Sequence, residues 1–344
     1  MTTRTEIVQG DCLDVLPTIA SGSVDLIVTD PPYFRVKALP WDRQWDSAGG
    51  FLAWLGKVAD EWQRVLAPNG SLYAFASPQM AARVELLLAE RFTVLNHVTW
   101  VKENGWHRKA QPADLRSYFP QTERVVFCEQ FGADGSALRG SGYAAECQKL
   151  HAGVFEPLRQ YLESERQRAG VDKVAINVAC GFSASPGGMA ARHYFSGSQW
   201  CLPTREHYEA MQRLFNERGN DYLRREYEDL RREYEDLRRE YEDLRRPFTV
   251  TSEVPYTDVW TYPTVSARPG KHPCEKPIQM LRDIVSASSR PGGLVLDSFA
   301  GSGATGQAAQ ELGRRFVGIE MDPAWAERAR ERLAVEQPTL MDVA

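Results

Sequence analysis

The sequence predicts an α/β fold in which both ends of the chain form one sheet and a mainly helical insert interrupts it. Strand-like and helix-like segments alternate up to about residue 131, and the same alternation returns from about residue 269. The residues between them, 132–268, are richer in helical periodicity and contain a tandem repeat. We therefore expect one domain built from 1–131 and 269–335, with 132–268 as an inserted domain.

The predicted elements follow in order along the chain. Val24–Thr29 is an apolar run of strand length before two prolines, and 51–66 places apolar residues at helical spacing before Pro68-Asn69-Gly70. The other elements of the first part are a strand at 72–75, a helix at 80–90, and strands at 94–101 and 125–128. The last part predicts strands at 294–297 and 316–320 and helices at 303–312 and 325–333. This alternation is typical of a parallel sheet covered on both faces.

The composition is that of an ordinary globular protein. Apolar residues make up 43% and charged residues 25% of the 344 residues. No stretch approaches about 18 consecutive apolar residues, and no apolar segment follows the first residues, so neither a membrane span nor a signal peptide is predicted. The six cysteines are scattered without a Cys-x-x-Cys pair. This argues against a metal site and against disulfides, and it favours a cytoplasmic location.

A heptad repeat is the most regular feature of the insert. Arg-Glu-Tyr-Glu-Asp-Leu-Arg occurs three times in tandem within 225–245, so Tyr and Leu alternate at spacings of three and four. This predicts a continuous helix over 221–246, about 26 residues and about 39 Å long. The apolar stripe either rests on its own domain or pairs with a partner helix, and three heptads do not decide between the two. The second alternative predicts a homodimer.

A glycine-rich turn follows the strand at 294–297. Gly301-x-Gly303-x-x-Gly306 matches the dinucleotide-binding fingerprint. Glu320 ends the next strand, where its carboxylate would accept hydrogen bonds from ribose hydroxyls. Such a turn also serves simply to pack a strand against a helix, and alone it does not separate NAD from S-adenosylmethionine. Asp297 favours S-adenosylmethionine, because a carboxylate suits a ligand with an ammonium group and suits a pyrophosphate badly.

A rigid acceptor site is predicted at Asp30-Pro31-Pro32-Tyr33. Two successive prolines fix φ and carry no backbone N–H, so the strand ends in a turn whose carbonyls are free to accept hydrogen bonds. The Asp30 carboxylate and the Pro31 carbonyl suit the two hydrogens of an exocyclic amino group, and Tyr33 offers a ring that stacks on an extruded base. In an arbitrary sequence these residues would form only a turn. Because the same sequence also contains the glycine-rich turn, a catalytic role for these residues is favoured over a simple turn.

The order of these motifs resembles that of the beta class of DNA amino-methyltransferases. In that class Asp-Pro-Pro-Tyr precedes the cofactor turn and the target-recognition region lies between them, as with 30–33 and 297–303 here. Further segments are similar to motifs of the class: Gly10-Asp11-Cys12, Trp100-Val101-Lys102 and His272-Pro273-Cys274-Glu275-Lys276-Pro277. Cys274, Glu275 and Ser298 depart from the residues common there, without removing a catalytic group. The resemblance implies a Rossmann-like S-adenosylmethionine-dependent methyltransferase sheet with a target-recognition insert.

The resemblance also implies roles for single residues. Methyl transfer to N6 of an extruded adenine would be direct, without a covalent enzyme intermediate, and its catalytic residues would be Asp30, Pro31, Pro32 and Tyr33. The base pocket would include Asp11 and Trp100. The cofactor S-adenosylmethionine would be bound by Asp297, Phe299, Gly301, Ser302, Gly303, Glu320, His272 and Lys276, with Lys276 near the methionine carboxylate.

Other functions remain open alternatives. Enzymes that methylate N4 of cytosine usually carry Ser in place of Asp30, so Asp30 favours adenine without excluding cytosine. A DNA-binding regulator that has lost turnover would keep the same fold, although Asp30, Tyr33 and Gly301 are intact. The interpretation as a nicotinamide-dependent oxidoreductase would rest on the glycine-rich turn alone. Pro273-Cys274 resembles the nucleophile of cytosine-C5 methyltransferases, but their Glu-Asn-Val tripeptide does not occur in the sequence.

Double-stranded DNA is the expected partner, in the cytoplasm of a bacterium or phage-infected cell and associated with the nucleoid. The net charge of −5 means that local basic patches must contact the DNA. The loop 103–123 contains Arg108, Lys109 and Arg116, which either contact phosphates or belong to an ordinary polar loop.

A second candidate DNA contact lies in the insert. A helix is predicted at 155–168, and the helices predicted at 171–179 and 187–195 form either a helix-turn-helix or a simple packed pair. The stretch 186–205 carries no acidic residue. It contains the candidate major-groove contacts Arg192, His193 and Arg205.

Overall fold

The computed structural model describes residues 5–36, 38–103, 116, 118, 120–130, 143–197, 199–217, 219–251, 254–266, 268 and 271–334. The chain forms two compact units, the helical unit Tyr143–Arg245 and the sheet unit, which comprises the residues on either side of it. The helical unit lies inside the predicted insert 132–268, whose extent as a domain stays a prediction. No helix in the described ranges is long and apolar enough to cross a membrane.

The sheet unit contains eight strands among its described residues. Along the chain they are β1 (Thr5–Gln9), β2 (Val24–Thr29), β3 (Leu66–Ala76), β4 (Thr93–Lys102), β5 (Thr122–Glu129), β6 (Val259–Tyr262), β7 (Leu294–Asp297) and β8 (Arg315–Glu320). Their order across the sheet is β1-β8-β7-β2-β3-β5-β4-β6. The prediction that both chain ends share one sheet is confirmed, because β1 pairs with β8 and β2 with β7.

The expectation of a parallel sheet is wrong at one strand. β5 runs antiparallel to both of its neighbours, β3 and β4, whereas the other strand pairs are parallel. β5 follows β4 along the chain and lies directly beside it, and a connection between neighbouring strands of this kind reverses the strand direction. As a consequence, β5 begins at the edge of the sheet where the parallel strands end.

Helices cover both faces of the sheet. Among the residues that the structure describes, the helices are α1 (Cys12–Val15), α2 (Ala48–Val65), α3 (Ala81–Ala89), α4 (Tyr143–Ala169), α5 (Lys173–Ala179), α6 (Met189–Tyr194), α7 (Arg205–Phe215), α8 (Tyr227–Leu244), α9 (Ile278–Ser288), α10 (Ala304–Glu311) and α11 (Pro323–Ala334). Successive residues of β2 point to opposite faces. Leu26 and Val28 pack with α9, α10 and α11, whereas Ile27 between them packs with α1, α2 and α3.

The helical unit has its own hydrophobic core, to which α4, α5, α6, α7 and α8 contribute. The predicted helix 155–168 is part of the 27-residue α4. The predicted helix 221–246 is too long, because α8 has 18 residues and begins at Tyr227. The residues before it are held in another conformation by side chains: Asn216 Oδ1 accepts from Tyr222 N, and Glu165 Oε2 accepts from Leu223 N.

The apolar stripe of α8 faces the core of its own unit. Leu230 is buried, and Tyr234, Leu237 and Tyr241 are partly buried against the same core. Of the two alternatives for the heptads, the structure therefore supports the helix that rests on its own domain. Homodimerisation stays a prediction.

Candidate functional site

A cavity of about 540 Å³ lies at the carboxyl edge of the sheet. The residues that follow β2, β7 and β8 meet there, because the carboxyl ends of neighbouring parallel strands share one edge. The predicted site residues that line it are Asp11, Asp30, Pro31, Pro32, Tyr33, His272, Lys276, Asp297, Phe299, Gly301, Ser302 and Glu320. The tetrapeptide and the glycine-rich turn, which are distant in sequence, thus face one space.

The two carboxylate oxygens of Asp30 differ in their contacts. Oδ2 accepts a hydrogen bond of 2.5 Å from Lys276 Nζ. Oδ1 is buried and has no hydrogen-bond partner among the described residues. Burial raises the pKa of Asp30, and the Lys276 ammonium opposes that rise. Since a buried acceptor without a donor is costly, a ligand that brings a hydrogen to Oδ1 would gain free energy there.

The Tyr33 hydroxyl is held by charged neighbours. It donates to Glu123 Oε2 at 2.8 Å and accepts from Lys276 Nζ at 3.0 Å. Burial, together with the Asp30 and Glu123 carboxylates, raises the pKa of Tyr33 well above its ordinary value, so the phenol stays neutral. The ring is thereby fixed by contacts at its hydroxyl end.

Lys276 lies beside two carboxylates of the site. The family resemblance implies that its ammonium lies near the methionine carboxylate of the cofactor. In the structure the ammonium contacts the carboxylates of Asp30 and Glu123 at 2.5 and 3.2 Å. Burial works against the ammonium, but the two carboxylates outweigh burial and raise the pKa of Lys276. The ammonium is therefore a fixed charge beside Asp30, and its assignment to the cofactor stays a prediction.

The glycine-rich turn is closed by two acidic side chains. Gly301 has a φ of 49° and Gly303 a φ of 75°, a left-handed conformation that favours glycine. Glu320 Oε2 accepts from Gly301 N at 2.8 Å. Asp297 accepts from Phe299 N at 3.1 Å and from Thr305 Oγ1 at 2.7 Å. Burial raises the pKa of Asp297 to about 7.

His272 closes the cavity above the glycine-rich turn. A Cβ on Gly301 would lie 3.1 Å from His272 Cε1, so only glycine lets the imidazole approach this closely. The ring stands edge-on against Trp325 with ring centres 4.6 Å apart. Burial and the nearby Lys276 ammonium lower the pKa of His272 to about 4, so the ring is neutral near pH 7.

Two predicted site residues do not line the cavity. Trp100 is 2% exposed, lies in a hydrophobic core and donates through Nε1 to Tyr262 O at 3.0 Å. Its ring is thus used for packing. Gly303 supports the turn from behind, where a Cβ would lie 3.1 Å from Ala329 Cβ.

The predicted DNA contacts are only partly described. Arg108 and Lys109 lie outside the described residues, and Arg116 is exposed. In the helical unit Arg192 is exposed, and His193 Nδ1 lies 3.2 Å from Gln199 O. Arg205 is paired with Glu228 of α8, an acid that the surrounding sequence did not reveal. DNA binding by these residues stays a prediction.

The predicted helix pair is present in shortened form. α5 and α6 have seven and six residues, and Asn177 joins them by donating to Ser185 O and accepting from Ala190 N. Whether this pair reads DNA stays a prediction.

Sequence reasoning missed two residues that line the cavity and one ion pair beside it. Glu123 and Lys102 form an ion pair of 2.5 Å, and Glu123 reaches Tyr33 and Lys276. Trp41 and Trp325 line the cavity directly. The available signal for Glu123 was its place just before the apolar strand 125–128. An antiparallel strand begins at the edge where the parallel strands end, so a charged residue at its start lies near the site.

Comparison with known proteins gives a consistent result. The family model described as DNA methylase, of the N6 and N4 methyltransferase type, matches residues 24–331. The DNA adenine methyltransferase YhdJ of Escherichia coli (strain K12) is 26% identical over 330 residues, which cover 96% of this chain and 82% of that protein. The type II methyltransferase M1.MboII of Moraxella bovis is 24% identical over 330 residues, 94% of each chain.

One solved structure illustrates the likeness in fold. The PvuII DNA methyltransferase (cytosine-N4-specific) matches with a TM-score of 0.50 at 13% identity, over 96% of this chain and 87% of that one. At this level of identity the likeness concerns the fold alone.

Proposed function

Because the chain belongs to the DNA methylase family of the N6 and N4 type, we propose that it transfers a methyl group from S-adenosylmethionine to N6 of adenine in double-stranded DNA. The observation that carries this proposal is the buried, unpartnered Oδ1 of Asp30 in the same cavity as the glycine-rich turn. An adenine amino group brings the hydrogen that this oxygen needs. The relative named as a DNA adenine methyltransferase supports the same substrate.

In the proposed reaction the adenine is extruded into the cavity. Asp30 Oδ1 and the Pro31 carbonyl accept the two amino hydrogens, and Tyr33 stacks on the base. These hydrogen bonds direct the nitrogen lone pair to the methyl carbon of the sulfonium. The N–C bond would form in one step as the C–S bond breaks, with S-adenosylhomocysteine as the leaving group, and the surplus amino proton would then pass to water. The glycine-rich turn, Asp297 and Glu320 bind the cofactor that supplies the methyl group, with His272 packed above the turn.

The experiment that tests the proposal is transfer of labelled methyl groups to duplex DNA, followed by digestion to nucleosides. We expect the label in N6-methyldeoxyadenosine, and label in N4-methyldeoxycytidine would favour the alternative. Asp30→Asn should lower kcat by about a hundredfold or more, since the charged acceptor is lost. The matched control is Asp14→Asn, an exposed aspartate that does not line the cavity. Undiminished transfer by Asp30→Asn would contradict the mechanism.

We also propose that the helical unit reads the DNA target, as one domain of an enzyme that acts on nucleoid DNA. The exposed Arg192 on α6 supports this proposal because its side chain is accessible to phosphates and bases. Arg192→Ala should weaken DNA binding while the affinity for S-adenosylmethionine stays unchanged. Equal affinity of both proteins for DNA would contradict it.

A further inference from the structure

Four charged side chains of alternating sign form a connected series that ends at Asp30. Lys102 Nζ lies 2.5 Å from Glu123 Oε1, Glu123 Oε2 lies 3.2 Å from Lys276 Nζ, and Lys276 Nζ lies 2.5 Å from Asp30 Oδ2. None of the four side chains is more than 22% exposed. Charges with so little solvent persist only when each is paired, so the position of every member depends on its neighbours.

Glu123 is the member that links the series to the tetrapeptide. Its Oε2 accepts the Tyr33 hydroxyl at 2.8 Å while also facing Lys276, and its Oε1 faces Lys102. It reaches this place because β5 is antiparallel: Arg124, the next residue, lies opposite Ala76 at the end of β3. One carboxylate therefore contacts both groups that surround Asp30.

We propose that Glu123 is a positioning residue for methyl transfer, which holds Tyr33 and Lys276 so that Asp30 keeps Oδ1 free for the target amino group. The proposal rests on the proposed function, because it assigns Glu123 a role in that reaction. Lys276 has three donor hydrogens and Asp30 two oxygens. Without the second carboxylate, the ammonium is free to move across the Asp30 carboxylate and occupy the oxygen that the base needs.

The charge of Glu123 also affects the pKa of a neighbouring group. Burial opposes its ionisation, but Lys276 and Lys102 outweigh burial and lower the pKa of Glu123 to about 2, so it remains a carboxylate. Its negative charge adds to the effect of burial in raising the pKa of Asp30. Removal of this charge should therefore lower the pKa of Asp30, and the acid limb of a kcat profile that requires ionised Asp30 should move to lower pH.

The test is a pH profile of kcat for Glu123→Gln, which keeps the shape of the side chain and removes the charge. We expect kcat near pH 7.5 to fall on the order of tenfold, since a buried network loses one partner. The KM for S-adenosylmethionine should stay unchanged, and the acid limb should move to lower pH. Glu123→Asp, which retains the charge, should keep the wild-type acid limb.

The matched control is Glu129→Gln, at the other end of the same strand. Glu129 is also ion-paired and little exposed, but its partner Arg246 does not line the cavity, whereas the partners of Glu123 include Tyr33 and Lys276, which do. If Glu123→Gln loses activity only as much as this control and its acid limb does not move, the role of Glu123 is structural and the proposal is wrong. A wild-type protein that methylates no DNA would instead contradict the proposed function and the role that rests on it.

Discussion

Two aspartates that follow neighbouring strands differ in what their carboxylates contact. Asp297, at the end of β7, accepts hydrogen bonds from its own turn at both oxygens. Asp30, directly after β2, keeps Oδ1 buried with no partner in the described part of the chain. The first is a fixed part of the cofactor turn, whereas the second is an acceptor that a substrate can complete. Two aspartates at the ends of neighbouring strands thus have different chemistry.

Asp297 predicts a pH dependence of stability. Burial raises its pKa to about 7 in the folded protein, against about 4 in an unfolded chain. The stability that its protonation contributes is fully present below about pH 4 and is lost as the pH rises through about 7. Asp297→Asn is neutral at every pH, so the Tm of the unliganded variant should fall less than that of the wild type between about pH 5 and pH 8. Parallel Tm curves in thermal unfolding would argue against this pKa.

At the scale of elements, three identical repeats place the same residue in three environments. Leu230 is 1% exposed, Leu237 is partly buried, and Leu244 is 46% exposed. The repeat sequence alone assigns these leucines one role. How much each leucine contributes to stability depends on whether it lies inside the helical core. Burial, and not periodicity, sets the free energy of transfer from water.

Alanine substitutions should reveal this gradient. Leu230→Ala should lower the free energy of unfolding by about 2–5 kcal/mol, and Leu244→Ala by less than about 0.5 kcal/mol, with Leu237→Ala between them. Denaturant unfolding followed by far-UV circular dichroism measures the three values. Equal values would mean that the stripe is uniformly exposed or uniformly covered, for instance by a second copy of the chain.

Two glycines within helices differ in the space around them, so the same substitution should affect stability differently at each. A Cβ on Gly306 of α10 would lie 2.6 Å from Phe316 Cε1, a fully buried ring, whereas a Cβ on Gly153 of α4 would meet nothing within 4 Å. Gly306→Ala should destabilise by about 1–3 kcal/mol through overpacking. Gly153→Ala should stabilise by about 0.5–1 kcal/mol, because alanine favours a helix. The opposite order of the two denaturation midpoints would contradict the packing of α10 on β8.

The sequence predicted those elements that local patterns define. The strands 24–29 and 294–297 begin and end where predicted, because each is an apolar run with a clear breaker. β6 was missed, since this edge strand has four residues of which only Tyr262 is buried. The N-terminal end of α8 was also wrong, because the heptad period continues past the point where Glu165 holds the backbone of Leu223.

The candidate site was predicted to a similar extent and for similar reasons. Its motifs carry local signatures, so most of the predicted lining residues face one cavity. Glu123 and the ion pairs of Lys276 were not predictable, because they depend on the direction of β5 and on contacts between residues far apart in sequence. Which charged side chains pair with one another is determined only once the sheet has folded.

At the scale of the whole molecule, two units with separate cores predict two unfolding events. The cavity is lined by residues of the sheet unit alone. S-adenosylmethionine at about one hundred times its Kd should stabilise that unit by about 2.7 kcal/mol and leave the other unchanged. Differential scanning calorimetry should therefore show two transitions, of which only one moves with the cofactor. A common shift of both would mean that the units unfold together.

The tandem repeat of α8 has a consequence for how the gene can change. A unit of seven residues is a whole number of codons, so replication slippage that adds or removes one repeat keeps the reading frame. It also keeps Tyr and Leu on the same face of the helix, because seven residues are close to two turns. The first repeat carries the buried Leu230 and the last carries the exposed Leu244, so copies gained or lost near the end leave Leu230 in its place in the core. We therefore expect the length of α8, and not its sequence, to vary among strains.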